Sequence, residues 1–366
     1  MLPALLLATA LLTTCGGDCD GNDTVDAADL TQAVTALFTP GACTAADGDA
    51  NGAVTAAELL QVLLAVDGAC SEWTDLPPLP RGARQEVGVA ALDQQVYVIG
   101  GFDAQGRGSR EVEVYDVESG NWARAAALPG LRNHVGATAL DGAVWVVGGF
   151  VGSGFAPAAE VYRYAPAQDE WAAVAPLPAA RGALAVAAVQ GVIYAVGGSG
   201  AGGSLSDCTA YDPSDDMWRA CAPLPTPRNH LAAAALDGLL YVAGGRGDGS
   251  GFANSAALDR YDPSTDRWTA LAPMPTARSG HALAAVGGRL VAMGGEVNDT
   301  NPPTRVFPQV ELYDPQRDRW ARLDPMPLPR HGIGAASIGD LVIVPGGATV
   351  AGFFATDHAD ALRLLR

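Results

Sequence analysis

Six pairs of adjacent glycines, Gly100-Gly101, Gly148-Gly149, Gly197-Gly198, Gly244-Gly245, Gly294-Gly295 and Gly346-Gly347, divide most of this chain into similar units. Sixteen residues before the first glycine of every pair stands an arginine: Arg84, Arg132, Arg181, Arg228, Arg278 and Arg330. Downstream, Tyr115, Tyr164, Tyr211, Tyr261 and Tyr313 each precede a tryptophan by seven residues, at Trp122, Trp171, Trp218, Trp268 and Trp320. Only the stretch from diglycine to tryptophan varies, at 22, 23, 21, 24 and 26 residues, so insertions gather in one loop per unit. A period near fifty residues marks an array of supersecondary units that bury their apolar faces against one another.

Within a unit, a small-apolar run such as Val135 to Leu140 meets a turn at Asp141-Gly142 and resumes as Val144 to Val147, the pattern of a hairpin. A second hairpin turns around Pro213-Ser214-Asp215 and carries Tyr211 and Trp218. Four short strands per unit, repeated radially, are the blades of a β-propeller, in which aromatic rings fill the space between sheets and glycines let strands crowd together. These marks, with Pro-rich exits such as Ala272-Pro273-Met274-Pro275, resemble the Kelch family over residues 71–366. The expected fold is an all-β six-bladed Kelch propeller. Its sixth unit lacks a tryptophan, whereas Trp73, 11 residues before Arg84, supplies an orphan outer strand expected to complete the last blade. Placing Tyr211 opposite Trp218 also sets Cys208 opposite Cys221, the register of a cross-strand disulfide.

The front of the chain reads differently. From Asp18, oxygen-bearing side chains at Asp18, Asp20, Asn22, Asp26 and Asp29, with Thr24 at the backbone-ligand position, follow the order of a twelve-residue calcium loop. A second copy offers Asp47, Asp49, Asn51, the Ala53 carbonyl, Thr55 and the chelating Glu58, with Gly52 at the sharp turn. Asp23 stands at that turn in the first copy, which is expected to bind more weakly. Helical patterns follow at Ala27 to Leu37 and Ala56 to Val66. The two loop-helix units resemble a dockerin type I module over residues 18–70, which implies bound Ca2+ and a cohesin-like partner. In that resemblance Ala27, Ala28, Ala56 and Ala57 occupy positions that often carry hydroxyl contacts to a cohesin, and alanine lacks the hydroxyl. The expected organisation is a signal peptide at 1–14, a small all-α dockerin-like module at 15–70 and the propeller at 71–366.

Charge and cysteine content narrow the function. The net charge is −18, all 22 basic residues are arginines, and none precedes Arg81, so there is no basic patch for a nucleic acid. Leu5 to Leu12 is too short to span a bilayer but suits the core of a secretory signal. Leu12-Thr13-Thr14-Cys15 resembles a lipoprotein cleavage box, which would put a lipid on Cys15 at the cell surface; otherwise Cys15, Cys19, Cys43 and Cys70 are candidates for disulfides. Six cysteines fit an exported chain.

A ligand is expected at the channel mouth, where the arginine and diglycine ends of neighbouring strands meet. The residues following those markers, Gln85, Glu86, Asn133, His134, Asn229, His230, Ser279 and His331 with Phe102, Phe150, Arg246 and Glu296, mix aromatics with hydrogen-bonding groups suited to a glycan or extended peptide. The six repeated arginines read as structural bridges between blades, and His134 and His230 as strand-start residues rather than metal ligands. No catalytic residue is singled out. A secreted or cell-surface binding module is the leading expectation; the alternative is a carbohydrate-active Kelch enzyme, similar to sialic-acid epimerases or galactose oxidase.

Overall fold

The computed structural model describes residues 24, 25, 27–36, 54, 68, 69, 71–152, 154–248, 253–297 and 305–365. The chain divides into two units between Glu72 and Trp73.

In the propeller, six four-stranded antiparallel sheets follow one another. Blade three is representative: Ala185–Val189, Val192–Val196, Cys208–Asp212 and Met217–Cys221 run in that order from the axis outward. In each of the first five blades a single segment of chain supplies all four strands. The sixth sheet is Ala336–Ile338, Leu341–Pro345 and Ala359–Leu364 from the end of the chain, with Ser71–Leu76 as its outer strand. Inner strands of adjacent blades touch all the way round, the sixth against the first.

The first hairpins turn tightly. In blade two Leu140 pairs with Ala143 across Asp141 and Gly142, both at positive φ, the backbone that matches the twist of the flanking strands. The second hairpins place Tyr211 opposite Trp218 and Cys208 opposite Cys221, and the two cysteines form a disulfide. Each tyrosine packs on its cross-strand tryptophan at about 5 Å between ring centroids.

Blades are fastened to one another at their rims. Each tryptophan indole donates to a carbonyl of the preceding unit: Trp122 to Pro77, Trp171 to Ala126, Trp218 to Ala175, Trp268 to Ala222 and Trp320 to Ala272, at 2.7–2.9 Å. Trp73 does the same to Asp324 at 3.2 Å. Beside them Asp169, Asp216, Asp266 and Asp318 each accept the hydroxyl of their own blade's tyrosine and a backbone N–H of the preceding blade.

The arginines are structural in a different way from that expected. Their guanidinium groups are buried and stay within their own blade. Arg84 pairs with Glu113, Arg228 with Asp259 at 2.5 Å, Arg278 with Glu311 at 2.7 Å and Arg330 with Asp360 at 2.5 Å, while Arg181 donates to Thr209 at 2.6 Å. What bridges blades is the arginine carbonyl, which accepts from the second glycine of the preceding diglycine, as in Gly101 to Arg132 and, across the chain ends, Gly347 to Arg84. Gly101 needs φ +90°, and a Cβ there would lie 2.5 Å from the Gln85 carbonyl oxygen, so a side chain is excluded twice over.

In the front unit, Ala27–Ala36 is a helix, close to the expected Ala27 to Leu37, with Asp29 buried in its first turn. Thr24–Val25 pairs with Gly68–Ala69. Of the expected calcium ligands only Thr24 and Asp29 are among the described residues; Asp18, Asp20, Asn22, Asp26, Asp47, Asp49, Asn51, Ala53, Thr55 and Glu58 lie outside them.

Candidate functional site

The arginines do not open the innermost strands, which begin four residues later in the first five blades, at Gly88, Gly136, Ala185, Ala232 and Ala282, and six residues later at Ala336 in the sixth. Instead, the residue after each arginine bridges the residue after each diglycine: Gln85 with Phe102, Asn133 with Phe150, Gly182 with Ser199, Asn229 with Arg246, Ser279 with Glu296 and His331 with Ala348. These six bridges form the mouth. One residue further on, Glu86, His134, Ala183, His230, Gly280 and Gly332 all adopt positive φ, between 51° and 60°. Each N–H donates to the carbonyl of the equivalent residue in the preceding blade, at 2.7–3.0 Å, so six hydrogen bonds close a collar around the axis. Because main chain makes the collar, its side chains are left to vary.

Those side chains meet. Glu86 Oε2 lies 3.3 Å from His134 Nε2, and the His134 and His230 rings stand edge to face, 4.9 Å between centroids. Arg246 donates to His230 Nε2 at 3.1 Å and to Glu296 Oε1 at 2.7 Å, and approaches Ser279 Oγ at 3.4 Å. His331 Nδ1 lies 3.4 Å from Glu296 Oε2 and 3.8 Å from Glu86 Oε1. Asn133 and Asn229 hold the adjacent imidazoles, each amide oxygen against an Nδ1, at 2.7 Å and 2.5 Å. Asn229 is itself tied to Ser204 and Asp248.

Burial sets the protonation of this cluster. It pushes the Glu86 carboxyl up to about 8, with the Glu296 carboxylate adding to the effect and Arg246 opposing it. It pulls His134 down to about 3, assisted by Arg246 and His331, and holds His230 well below the ordinary histidine range. His331 is also lowered by burial, against the pull of Glu296. The imidazoles are therefore neutral at pH 7.

On the side of blades one, two and six the mouth is aromatic. Phe102 contacts Phe155 and Phe353, and Phe150 contacts Phe155 and His134, all edge to face at 5.3–5.8 Å. Phe102 and Phe150 are buried, but Phe155, Phe353 and Phe354 are 40%, 52% and 59% exposed. Gln85 is tied to a neighbouring loop: its amide donates to the Gly352 carbonyl at 2.6 Å and its oxygen accepts from Phe354 N–H at 3.0 Å, anchoring the 350–354 loop. Phe155, Phe353, Phe354, Ser204 and Asp248 were not legible as mouth residues. The signal was present in the phenylalanines of the post-diglycine insertions, which sequence spacing alone does not direct toward the axis.

Beneath the collar lies a cavity of about 80 Å³ lined by Glu86, His134, His230 and, one step deeper, Val87, Val135, Leu184, Leu231, His281 and Ile333. The far end of the channel, about 310 Å³, is walled by alanine, valine and leucine, with Thr138 and Ser337 the only hydroxyls.

Residues 96–357 match the family model described as the Attractin/LZTR1 beta-propeller. Kelch-like protein 36 of Mus musculus is 39% identical over 61 residues, 16% of this chain and 10% of that protein. Kelch-like protein terF of Aspergillus terreus is 39% identical over 54 residues, 15% of this chain and 12% of that protein. The matched segments thus span about a tenth of those relatives. The solved structure of YjhT superposes with a TM-score of 0.67 at 16% identity, covering 78% of this chain and 95% of that one, a likeness of fold. Among the described residues no helix is long and apolar enough to cross a membrane.

Proposed function

Since the chain belongs to the Attractin/LZTR1 beta-propeller family and is a Kelch-type six-bladed propeller, we propose that it is an exported recognition protein that binds a carbohydrate or protein ligand at the channel mouth. The observation that carries this reading is the union, at one end of a rigid ring, of exposed phenylalanines with a fixed Arg246–Glu296 pair. Aromatic faces stack on sugar rings or apolar side chains, and the charged pair orients hydroxyls or amides. An extended glycan uses both features best. The pairing of Ser71–Leu76 as the outer strand of the last sheet supports a ring fastened by both ends of the propeller segment.

Export is supported by the Cys208–Cys221 disulfide and by the leader-like run from Leu5 to Leu12. At the front, the spacing of the two loops supports a calcium-binding, dockerin-like module that attaches the propeller to a cohesin-like partner. Calcium should raise the melting temperature of the full chain's front transition and a chelator should reverse it; no shift in either direction removes the module.

The test of the binding reading is a glycan and peptide array probed with the full chain and with Arg246→Ala and Phe353→Ala. Loss of about tenfold or more in affinity in each variant is expected, and binding that survives both changes contradicts the placement. A second reading, a sugar-converting enzyme, draws on Glu86, protonated near neutral pH, 3.3 Å from the neutral His134. Unchanged anomer ratios of free sugars incubated with the protein would remove it. A galactose-oxidase-like centre finds no cysteine to crosslink, because both propeller cysteines are in the disulfide.

A further inference from the structure

We infer that Glu86, His134 and His230 form a binding site for a first-row divalent transition metal, such as zinc, at the collar of the channel. The inference does not rest on the ligand proposed above.

The three residues come from three blades, and the ligand-capable atoms of the trio lie within 4.8 Å of one another. The collar fixes the backbones of all three, since His134 N–H donates to the Glu86 carbonyl, and Ala183 links His134 to His230 in the same ring. Positive φ at each position turns the side chain toward the axis-lining cavity that the three residues share. Two imidazoles and one carboxylate are the donor set that suits zinc and its neighbours rather than calcium or magnesium, which favour oxygen.

The imidazoles are prepared as ligands. Asn133 Oδ1 and Asn229 Oδ1 accept from the Nδ1–H groups of His134 and His230, so in both rings the lone pair is on Nε2, the atom that faces Glu86 or Arg246. An outer hydrogen bond that fixes tautomer and ring orientation is the usual companion of a metal-bound histidine. Asn229 is held in turn by Ser204 at 2.6 Å. Metal bonds of about 2.0–2.2 Å require the donors to draw in by about an ångström, which side-chain rotation supplies without moving the collar. The cavity of about 80 Å³ leaves room for a water molecule at the remaining position.

One group competes. Arg246 occupies the His230 lone pair at 3.1 Å and would be repelled by a bound dication. It retains Glu296 and Ser279 as partners when it withdraws. The site therefore predicts an unusual sign: removing this arginine should strengthen metal binding, although the same residue is expected to support the mouth ligand.

The experiment uses the full chain, stripped with a chelator and then saturated with Ca2+ so that any calcium loops are filled. Titration with Co2+, followed by its visible d–d absorption, and with Zn2+, followed by calorimetry, should reveal one further equivalent. Asn229→Ala should weaken it about 10- to 100-fold. Arg246→Gln should tighten it about tenfold through loss of the adjacent charge. The double variant His134→Ala, His230→Ala should lose the equivalent while keeping the wild-type melting temperature within a few degrees. Absence of the further equivalent in the wild type, or its retention in the folded double variant, overturns the proposal. Should the double variant fail to fold, unchanged affinity in both Asn229→Ala and Arg246→Gln overturns it equally.

Discussion

At the end of the channel where the arginines lie, the inner strands are preceded by Glu86, His134, Ala183, His230, Gly280 and Gly332. At the other end the same strands present Ala91, Ala139, Ala188, Ala235, Ala285 and Ser337. The first set is chemically mixed, ringed by charges and half closed by phenylalanines. The second is nearly uniform. The difference follows from what holds each end in place. At the mouth, main-chain hydrogen bonds fix the collar whatever the side chains are. Further along, adjacent inner strands pack directly, and small residues are needed for six of them to converge. Specificity can therefore be written at the mouth without disturbing the ring, whereas the far end is committed to packing.

The comparison can be broken most severely just behind the mouth. Arg278→Ala leaves Glu311, which is fully buried, without its cation and should cost about 3–5 kcal/mol in urea unfolding. At the far end Ala235→Leu overfills a position that packs against the blade core where the inner strands converge, and should cost about 1–3 kcal/mol. Wild-type stability in Ala235→Leu would contradict the commitment of the far end to packing.

A smaller effect sharpens it. His281 lies between the polar and apolar stretches, with neither ring nitrogen hydrogen-bonded. Burial, helped by Arg278 and Arg228, lowers its pKa from 6.5 to about 3. The unfolded chain then binds a proton that the folded chain refuses, so this histidine costs stability as pH falls from about 6.5 toward 3. His281→Leu should gain about 1 kcal/mol at pH 7 and flatten the acid limb of the stability profile. A variant with the same acid slope as the wild type would mean that His281 titrates normally.

The repeating parts of this molecule were legible because each mark has one mechanical job. Diglycines have positive φ where a Cβ would strike a carbonyl, tyrosine and tryptophan face each other across a hairpin, and the Cys208–Cys221 register follows from them. The collar was not legible, since its six positions share a backbone conformation and no residue type. Nor was the aspartate five residues after four of the tyrosines, whose partners are a hydroxyl and a neighbouring blade's amide. The mouth residues were placed near one another by counting from the arginines, but counting alone did not show that Gln85 anchors the loop of Phe353 and Phe354.

Hydrogen–deuterium exchange of the full chain, with and without the ligand returned by the array, tests most directly whether recognition is confined to one end. Protection is predicted at 85–86, 133–134, 229–230, 246 and 350–355, with exchange at 90–91, 138–139 and 234–235 unchanged. Protection centred on the alanine-walled end, with the mouth unaffected, would contradict it.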